Sequence, residues 1–294
     1  MNGRFGVWHL LLSKAPADVV RQAAAEIEEL GYGTLWVYEG VGAREPLTGA
    51  GLLLAATRRI AVGTGIASIW SRDATAMAAA SATLAEAYPG RFVLGIGVSH
   101  SPLVSLRGHA YNKPLTAMRA YLDDMDTSVS AFPQPAEPAP RLLAALRPKM
   151  LELVRDKADG AHSFFVPPEH TALAREIIGP DRLLVPEQAV ILETDPARAR
   201  RIARAHTTFY LTLPNYLNNL RDLGYDDRDF ADGGSDRLVD AIVAWGDAET
   251  VARRLQSHLD AGADHIALQP LTEDDSDFPA AVTALRELAP VLAL

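Results

Sequence analysis

Short apolar runs bounded by glycine alternate along the chain with longer segments of helical character. Residues 60–66 and 92–96 are apolar and rich in β-branched side chains, the composition of strands buried on both faces. Between them, residues 74–88 are strong helix formers with no internal Gly or Pro, and Pro89-Gly90 ends the segment. The pattern predicts a strand–helix–strand unit whose two strands run parallel. The same reading places further strands at residues 4–8, 34–38, 141–146, 161–166, 183–193 and 264–269. Helices are expected at residues 16–30, 47–57, 114–129, 148–158 and 168–178, after Asp195-Pro196, after Asp247, and over residues 278–292. Pro16, Pro114, Pro148 and Pro168 each open a helix, where a missing N–H leaves nothing unsatisfied.

Three segments, ELGYGTLWV, KADGAHSFFV and DAGADHIAL, repeat one device: a helix end, a glycine, a short buried strand. Recurring αβ turns mean recurring βα units. Eight strands, nearly all followed by a helix, predict an α/β fold of the closed (β/α)8 TIM-barrel type, with one domain over residues 1–294. The open doubly wound sheet is the rival, but no dinucleotide fingerprint follows the first strand. Residues 206–245 break the rhythm at Pro214, Gly224 and Gly233-Gly234, and read as a helical insertion between strand 7 and strand 8. Residues 98–113 read as a long loop, and the proline-rich residues 132–140 as a connection within the domain.

A chain of 294 residues with 48% hydrophobic content has ample material for such a core. Its net charge of −9 argues against a nucleic-acid surface. It contains no cysteine, which removes disulfides, zinc-thiolate sites and cysteine nucleophiles and suits a reducing, cytoplasmic setting. The first twenty residues lack a signal-peptide layout, and no apolar run is long enough to span a bilayer.

In a parallel barrel, chemistry sits at the C-terminal ends of the strands. That rule selects Trp8 and His9, Glu39, the stretch from Gly65 to Arg72, Gly97 to His100, Arg147 and Gln269. Glycine pairs, Gly63/Gly65 and Gly95/Gly97, end two neighbouring strands and are expected to let a ligand approach the backbone. His100 follows one pair and precedes a proline turn. No metal-ligand spacing and no nucleophile elbow occurs at these ends, so a hydrolase has little support. Backbone amides in glycine turns, with Arg72, Arg107 and Arg147, suit an anionic phosphorylated ligand. Trp8, Trp36 and Trp70 suit a flat ring system or the core.

The run GTGIASIWSRDATAMAAASATLAEAYPGRFVLGIGVSH resembles the luciferase-like monooxygenase superfamily, and within it the coenzyme F420-dependent oxidoreductases of actinobacterial type. FGVW, LWVYEGVGAREPL, ALRPKMLELVRDKADGAH and AWGDAETVARRLQSHLDAGADHIALQP follow the same pattern, so the resemblance spans nearly the whole chain. It implies a TIM barrel holding a flavin or deazaflavin at its C-terminal mouth. It implies a non-proline cis peptide at Gly65–Ile66, with Gly65, Ile66 and Ala67 against the back of the ring. The phosphate-bearing tail is then expected along Val98, Ser99 and His100 and along Ala145, Leu146 and Arg147.

His100 and Glu39 become the candidates for proton transfer, and Trp8, His9 and Trp70 the candidates facing substrate. Two places depart from the family pattern. Arg147-Pro148-Lys149 stands where Gly-Pro-Lys is common, and His100 stands where some members have Glu. The expected function is hydride transfer between F420 and a small organic substrate. The alternatives are an FMN-dependent monooxygenase using O2 with a separate reductase, and a non-catalytic barrel that binds a cofactor. Family likeness also implies a homodimer.

Overall fold

The computed structural model describes residues 2–274 and 277–294. Its strands are β1 Phe5–Trp8, β2 Thr34–Val37, β3 Ala61–Thr64, β4 Ala67–Ser68, β5 Phe92–Gly97, β6 Arg141–Ala144, β7 Gly160–Ser163, β8 Leu183–Leu192, β9 Val243–Gly246 and β10 Ile266–Pro270. Its helices are α1 Ala17–Glu29, α2 Pro46–Ala56, α3 Ala74–Ala87, α4 Ser101–Leu106, α5 Pro114–Asp126, α6 Pro148–Lys157, α7 Pro168–Ile178, α8 Pro196–Tyr210, α9 Pro214–Asp222, α10 Asp227–Phe230, α11 Asp236–Ile242, α12 Ala248–Asp260 and α13 Phe278–Val291.

The hydrogen-bonded order is β10-β1-β2-β3-β5-β6-β7-β8, and β8 pairs back to β10 with Glu187 opposite Ala267. Every one of these pairings is parallel. The strands therefore close into the eight-stranded (β/α)8 barrel that the alternating pattern predicts. Side chains fill the interior: Trp8, Trp36, Val93, Leu142, Val185 and Ala267 are all buried there. A larger apolar layer, including Leu35, Leu54, Val62 and Leu94, lies where strands meet the surrounding helices. Asp73, Asp195 and Asp247 each cap a following helix by accepting a backbone N–H, at 2.7, 2.8 and 2.8 Å.

Three local expectations need correction. The third predicted strand does not run unbroken over residues 60–66: it stops at Thr64, turns, and resumes as β4 alongside β5. The loop predicted for residues 98–113 contains α4, because Pro102 is acceptable in the first helical turn. The segment 206–245 is not helical throughout. Its last residues form β9, which runs parallel to β8 from Ala189 to Leu192. β8 is ten residues long, and its pairing with β7 ends at Pro186. Its far half would otherwise present an open edge, and the β-branched and aromatic run Val243–Gly246 covers it. Helices α8, α9 and α11 pack over this end through Phe165, Ile191, Leu213, Tyr216, Leu220 and Leu238. No helix among the described residues is long and apolar enough to cross a membrane.

Candidate active site

The mouth of the barrel is shaped by the place where β3 leaves the wall. The peptide bond Gly65–Ile66 is cis, at the position family likeness implies. Its surroundings hold both flanking groups. The Gly65 carbonyl accepts from the Trp8 indole N–H at 2.7 Å, and the Ile66 carbonyl accepts from the Glu39 N–H at 3.2 Å. The chain then pairs Ser68 with Gly97, so the tips of β4 and β5 lie side by side.

The reason for the glycines differs from the expectation. A Cβ on Gly63 would sit 2.4 Å from the Trp36 ring, and one on Gly97 would sit 2.4 Å from Ile66 Cδ1. A Cβ on Gly65 would crowd Trp8 at 2.9 Å. The space is filled by the protein's own indoles and Ile66. The glycines let the two tips fold against the barrel interior; they do not leave an open slot.

Glu39 follows β2, and its side chain is only 6% exposed. Four donors converge on its two oxygens. Ser68 N–H reaches Oε2 at 2.8 Å, Arg72 reaches both oxygens at 3.0 Å, and Arg107 reaches Oε1 at 3.3 Å. Arg72 also contacts Glu45 at 2.9 Å, and Glu45 caps α2. This network joins the loops after β2, β4 and β5 into one rim. A carboxylate met by four donors, two of its partners arginines, is held in place.

His100 ends the β5 loop. Ser99 before it has φ +57°, a left-handed turn that is uncommon for a side-chain-bearing residue. The Val98 carbonyl accepts from the Trp70 indole at 2.8 Å, tying the two tips together. His100 Nδ1 lies 3.1 Å from Asn215 Oδ1 on α9, and its ring tilts against Tyr216 at 5.4 Å. With Nδ1–H donating to that amide oxygen, Nε2 carries the free lone pair. Burial pushes the His100 pKa below the ordinary histidine value, with the Asn215 contact opposing, so the ring is neutral near pH 7.

Of the predicted tail-binding residues, Arg147 is exposed at the start of α6 and pairs with Asp222 on α9 at 3.0 Å. Lys149 is exposed beside it. Leu146 is half-buried, and its carbonyl accepts from His170 at 2.6 Å. Ala145 and Ala67 are buried, so neither methyl is open to a ligand. His9 is displaced from the role expected of it. Its Nδ1 accepts the Leu11 N–H at 3.2 Å, and its ring stacks on Phe278 of α13 at 5.2 Å. Burial lowers its pKa to about 4. His9 is a capping residue packed behind the wall. Trp8 holds the cis tip and packs on Tyr38 and Phe164, at 5.7 and 5.2 Å.

Sequence reasoning passed over Glu187 and the aromatic wall above it. Glu187 lies on β8 and is 2% exposed, and among the described residues only the Phe165 N–H donates to Oε2, at 3.2 Å. Its other oxygen has no hydrogen-bond partner among the described residues. Burial raises its pKa to about 8, against a small opposing effect of that N–H. The wall consists of Phe164, Phe165, Tyr210 and Tyr216. The available signal was a Glu-Gln pair in the middle of an otherwise apolar strand. Among the described residues, no group of three or more His, Cys, Asp or Glu is placed to hold a metal. Two shallow surface depressions lie elsewhere. Arg4, Phe5 and Glu249 line one, and Ala78, Gln134 and Arg141 line the other.

Comparison with known proteins follows this geometry. Residues 3–265 match the sequence profile of the luciferase-like monooxygenases. The chain is 25% identical to a 5,10-methylenetetrahydromethanopterin reductase of Methanolobus tindarius, over 85% of this chain and 90% of that one. Its fold resembles the coenzyme F420-dependent tetrahydromethanopterin reductase of Methanopyrus kandleri, with a TM-score of 0.79 and 16% identity over 99% of this chain and 100% of that chain. It also resembles the oxygenating constituent of 3,6-diketocamphane monooxygenase of Pseudomonas putida in complex with FMN, with a TM-score of 0.69 and 14% identity over 98% of both. The profile covers most of the chain, the barrel closes as in these structures, and the chain belongs to the luciferase-like monooxygenase family.

Proposed function

We propose that the chain is a coenzyme F420-dependent oxidoreductase that moves hydride between the deazaflavin and a small organic substrate. The observation that carries this reading is the pair of joined strand tips at the mouth: Trp8 holds the Gly65 carbonyl, Ser68 pairs with Gly97, and Trp70 holds the Val98 carbonyl beside His100. The kinship to an F420-dependent reductase fold over the full length supports it.

The residues fit the cofactor. Ile66 is half-buried and offers an apolar bump for one face of a flat ring, while Gly65 and Ala67 supply backbone. Val98, Ser99, His100 and Leu146 line the way to the start of α6. There Arg147 and Lys149 meet the anionic tail at a helix N-terminus. When bound, the deazaflavin supplies hydride chemistry. The protein's part is to orient, exclude water and manage a proton. His100, neutral with Nε2 free, accepts a proton from an alcohol; once protonated at Nε2, it returns that proton to an alkoxide. Glu39 orients the rim through Arg72 and Arg107 and is assigned no proton transfer.

FMN dependence is the second reading, favoured by the likeness to an FMN-bound monooxygenase. Parallel titrations of the purified protein with F420 and with FMN, read by fluorescence, separate the two. Saturable F420 binding with FMN much weaker is expected; tight FMN binding without F420 binding reverses the assignment. His100→Ala is expected to lower turnover about 10²–10⁴-fold with cofactor affinity retained. An unchanged rate removes His100 from the mechanism.

A further inference from the structure

Buried polar atoms are nearly always paired, so several unpaired ones in one neighbourhood mark a place that water or a ligand completes. Two such atoms stand on adjacent strands of this barrel: Glu187 Oε1 on β8 and Gln269 Oε1 on β10. The register sets Glu187 opposite Ala267 and Gln269 opposite Ala189, so the two polar residues are diagonal neighbours. By strand alternation both share the inward face of Val185 and Ala267. Both are almost completely buried.

The aromatic wall stands over this pair. Phe165 donates its N–H to Glu187, and its ring packs on Tyr216 at 5.4 Å and on Tyr210 at 5.1 Å. Phe164 lies between Tyr216 at 6.3 Å and Trp8 at 5.2 Å, and Trp8 holds the Gly65 carbonyl. A continuous line of rings thus runs from the cis tip to Glu187. No ion pair reaches Glu187 among the described residues. The titratable groups around it are His162 on β7, His206 and Tyr210 on α8, and Tyr216 on α9, with His100 beyond Tyr216. None of these histidines carries charge near neutral pH, because burial lowers all three, His162 and His206 to about 4.

A carboxyl group in such a place keeps its proton and donates a hydrogen bond, while the Gln269 oxygen accepts one. One donor and one acceptor at diagonal positions of neighbouring strands match a hydroxyl group, and the donor alone matches a carbonyl. We propose that Glu187 and Gln269, under the wall of Phe164, Phe165 and Tyr216, form the substrate subsite, and that it takes a small uncharged alcohol or its carbonyl counterpart. The subsite rests on the oxidoreductase reading for its purpose but not for its binding chemistry. An anionic substrate is excluded: among the described residues no cation pairs with Glu187, and the apolar wall withholds water. Glu187 is then a specificity-determining residue that reads the substrate oxygen.

The test is binding of cyclohexanol and cyclohexanone, with cyclohexanecarboxylate as the charged match, followed by saturation-transfer NMR from pH 6 to pH 9.5. F420 binding is measured in parallel by fluorescence. Wild-type affinity for both neutral probes is expected to fall as pH rises through about 8, where Glu187 ionises. Glu187→Ala is expected to bind them about tenfold more weakly, the worth of one hydrogen bond. Glu187→Gln keeps a donor, so it is expected to retain binding and to lose the pH dependence. Equal binding of the carboxylate, no binding of either neutral probe, or wild-type affinity flat with pH and unchanged in Glu187→Ala, overturns the proposal. Loss of F420 binding with the probe results intact counts against the cofactor reading alone.

Discussion

Two carboxylates face the mouth from opposite sides of the barrel and live in opposite environments. Glu39, on the β2 side, is met by four donors from Ser68, Arg72 and Arg107. Glu187, on the β8 side, is met among the described residues by one backbone N–H and keeps a bare oxygen. Both are buried, so burial alone does not decide what a carboxylate does. The number and charge of its donors decide it. Glu39 is an anchor for three loops. Glu187 is an acid held in its neutral form.

The comparison can be broken most forcefully on the anchored side. Arg72→Ala leaves Glu39 buried with its principal cation gone, and is expected to cost about 3 kcal/mol or more in urea unfolding. Adding Glu39→Gln to that variant is expected to restore part of the loss, because the uncompensated charge is then removed. If Arg72→Ala unfolds like wild type, the rim is not held by this network.

Glu187 gives the opposite sign. Its folded-state pKa of about 8 lies above the ordinary 4.5, so the unfolded chain releases a proton that the folded chain keeps. Stability therefore falls as pH rises from about 4.5 to about 8, and Glu187→Gln abolishes that loss. At pH 8 the variant is expected to be more stable than wild type, on the order of 4 kcal/mol, with little difference at pH 4.5. A destabilised variant at pH 8 would mean that Glu187 is ionised and favourably paired. The smallest effect belongs to the exposed rim. Arg147→Ala removes an exposed cation that pairs with Asp222, and is expected to weaken F420 binding about tenfold at low salt and less at high salt. An equal loss at every ionic strength would argue for a packing role.

Most of the barrel was legible in the apolar runs. Strands buried on both faces announce themselves as short β-branched stretches, and prolines in first helical turns mark where α5, α6, α7 and α8 begin. β9 was not legible, because Val243–Gly246 becomes a strand only through the free edge that β8 offers. The cis tip and His100 were reached through motif and strand-end position. The purpose of the glycines was misread, because the indoles and Ile66 that fill the space beside them come from elsewhere in the chain or point back from the tip. Glu39 was found as a strand-end acid, but its arginines arrive from two other loops, which no local pattern shows. Glu187 was missed for the converse reason. A polar residue inside an apolar strand reads as noise until the register sets it beside Gln269 and under Tyr216.

The asymmetry of the mouth rests on Glu187 being a neutral acid at pH 7. Infrared difference spectra of wild type against Glu187→Gln, recorded through a pH titration, test that directly. The account predicts a protonated-carboxyl band at pH 7, absent from the variant, that bleaches as pH passes about 8. A carboxylate band already present at pH 6 would contradict it.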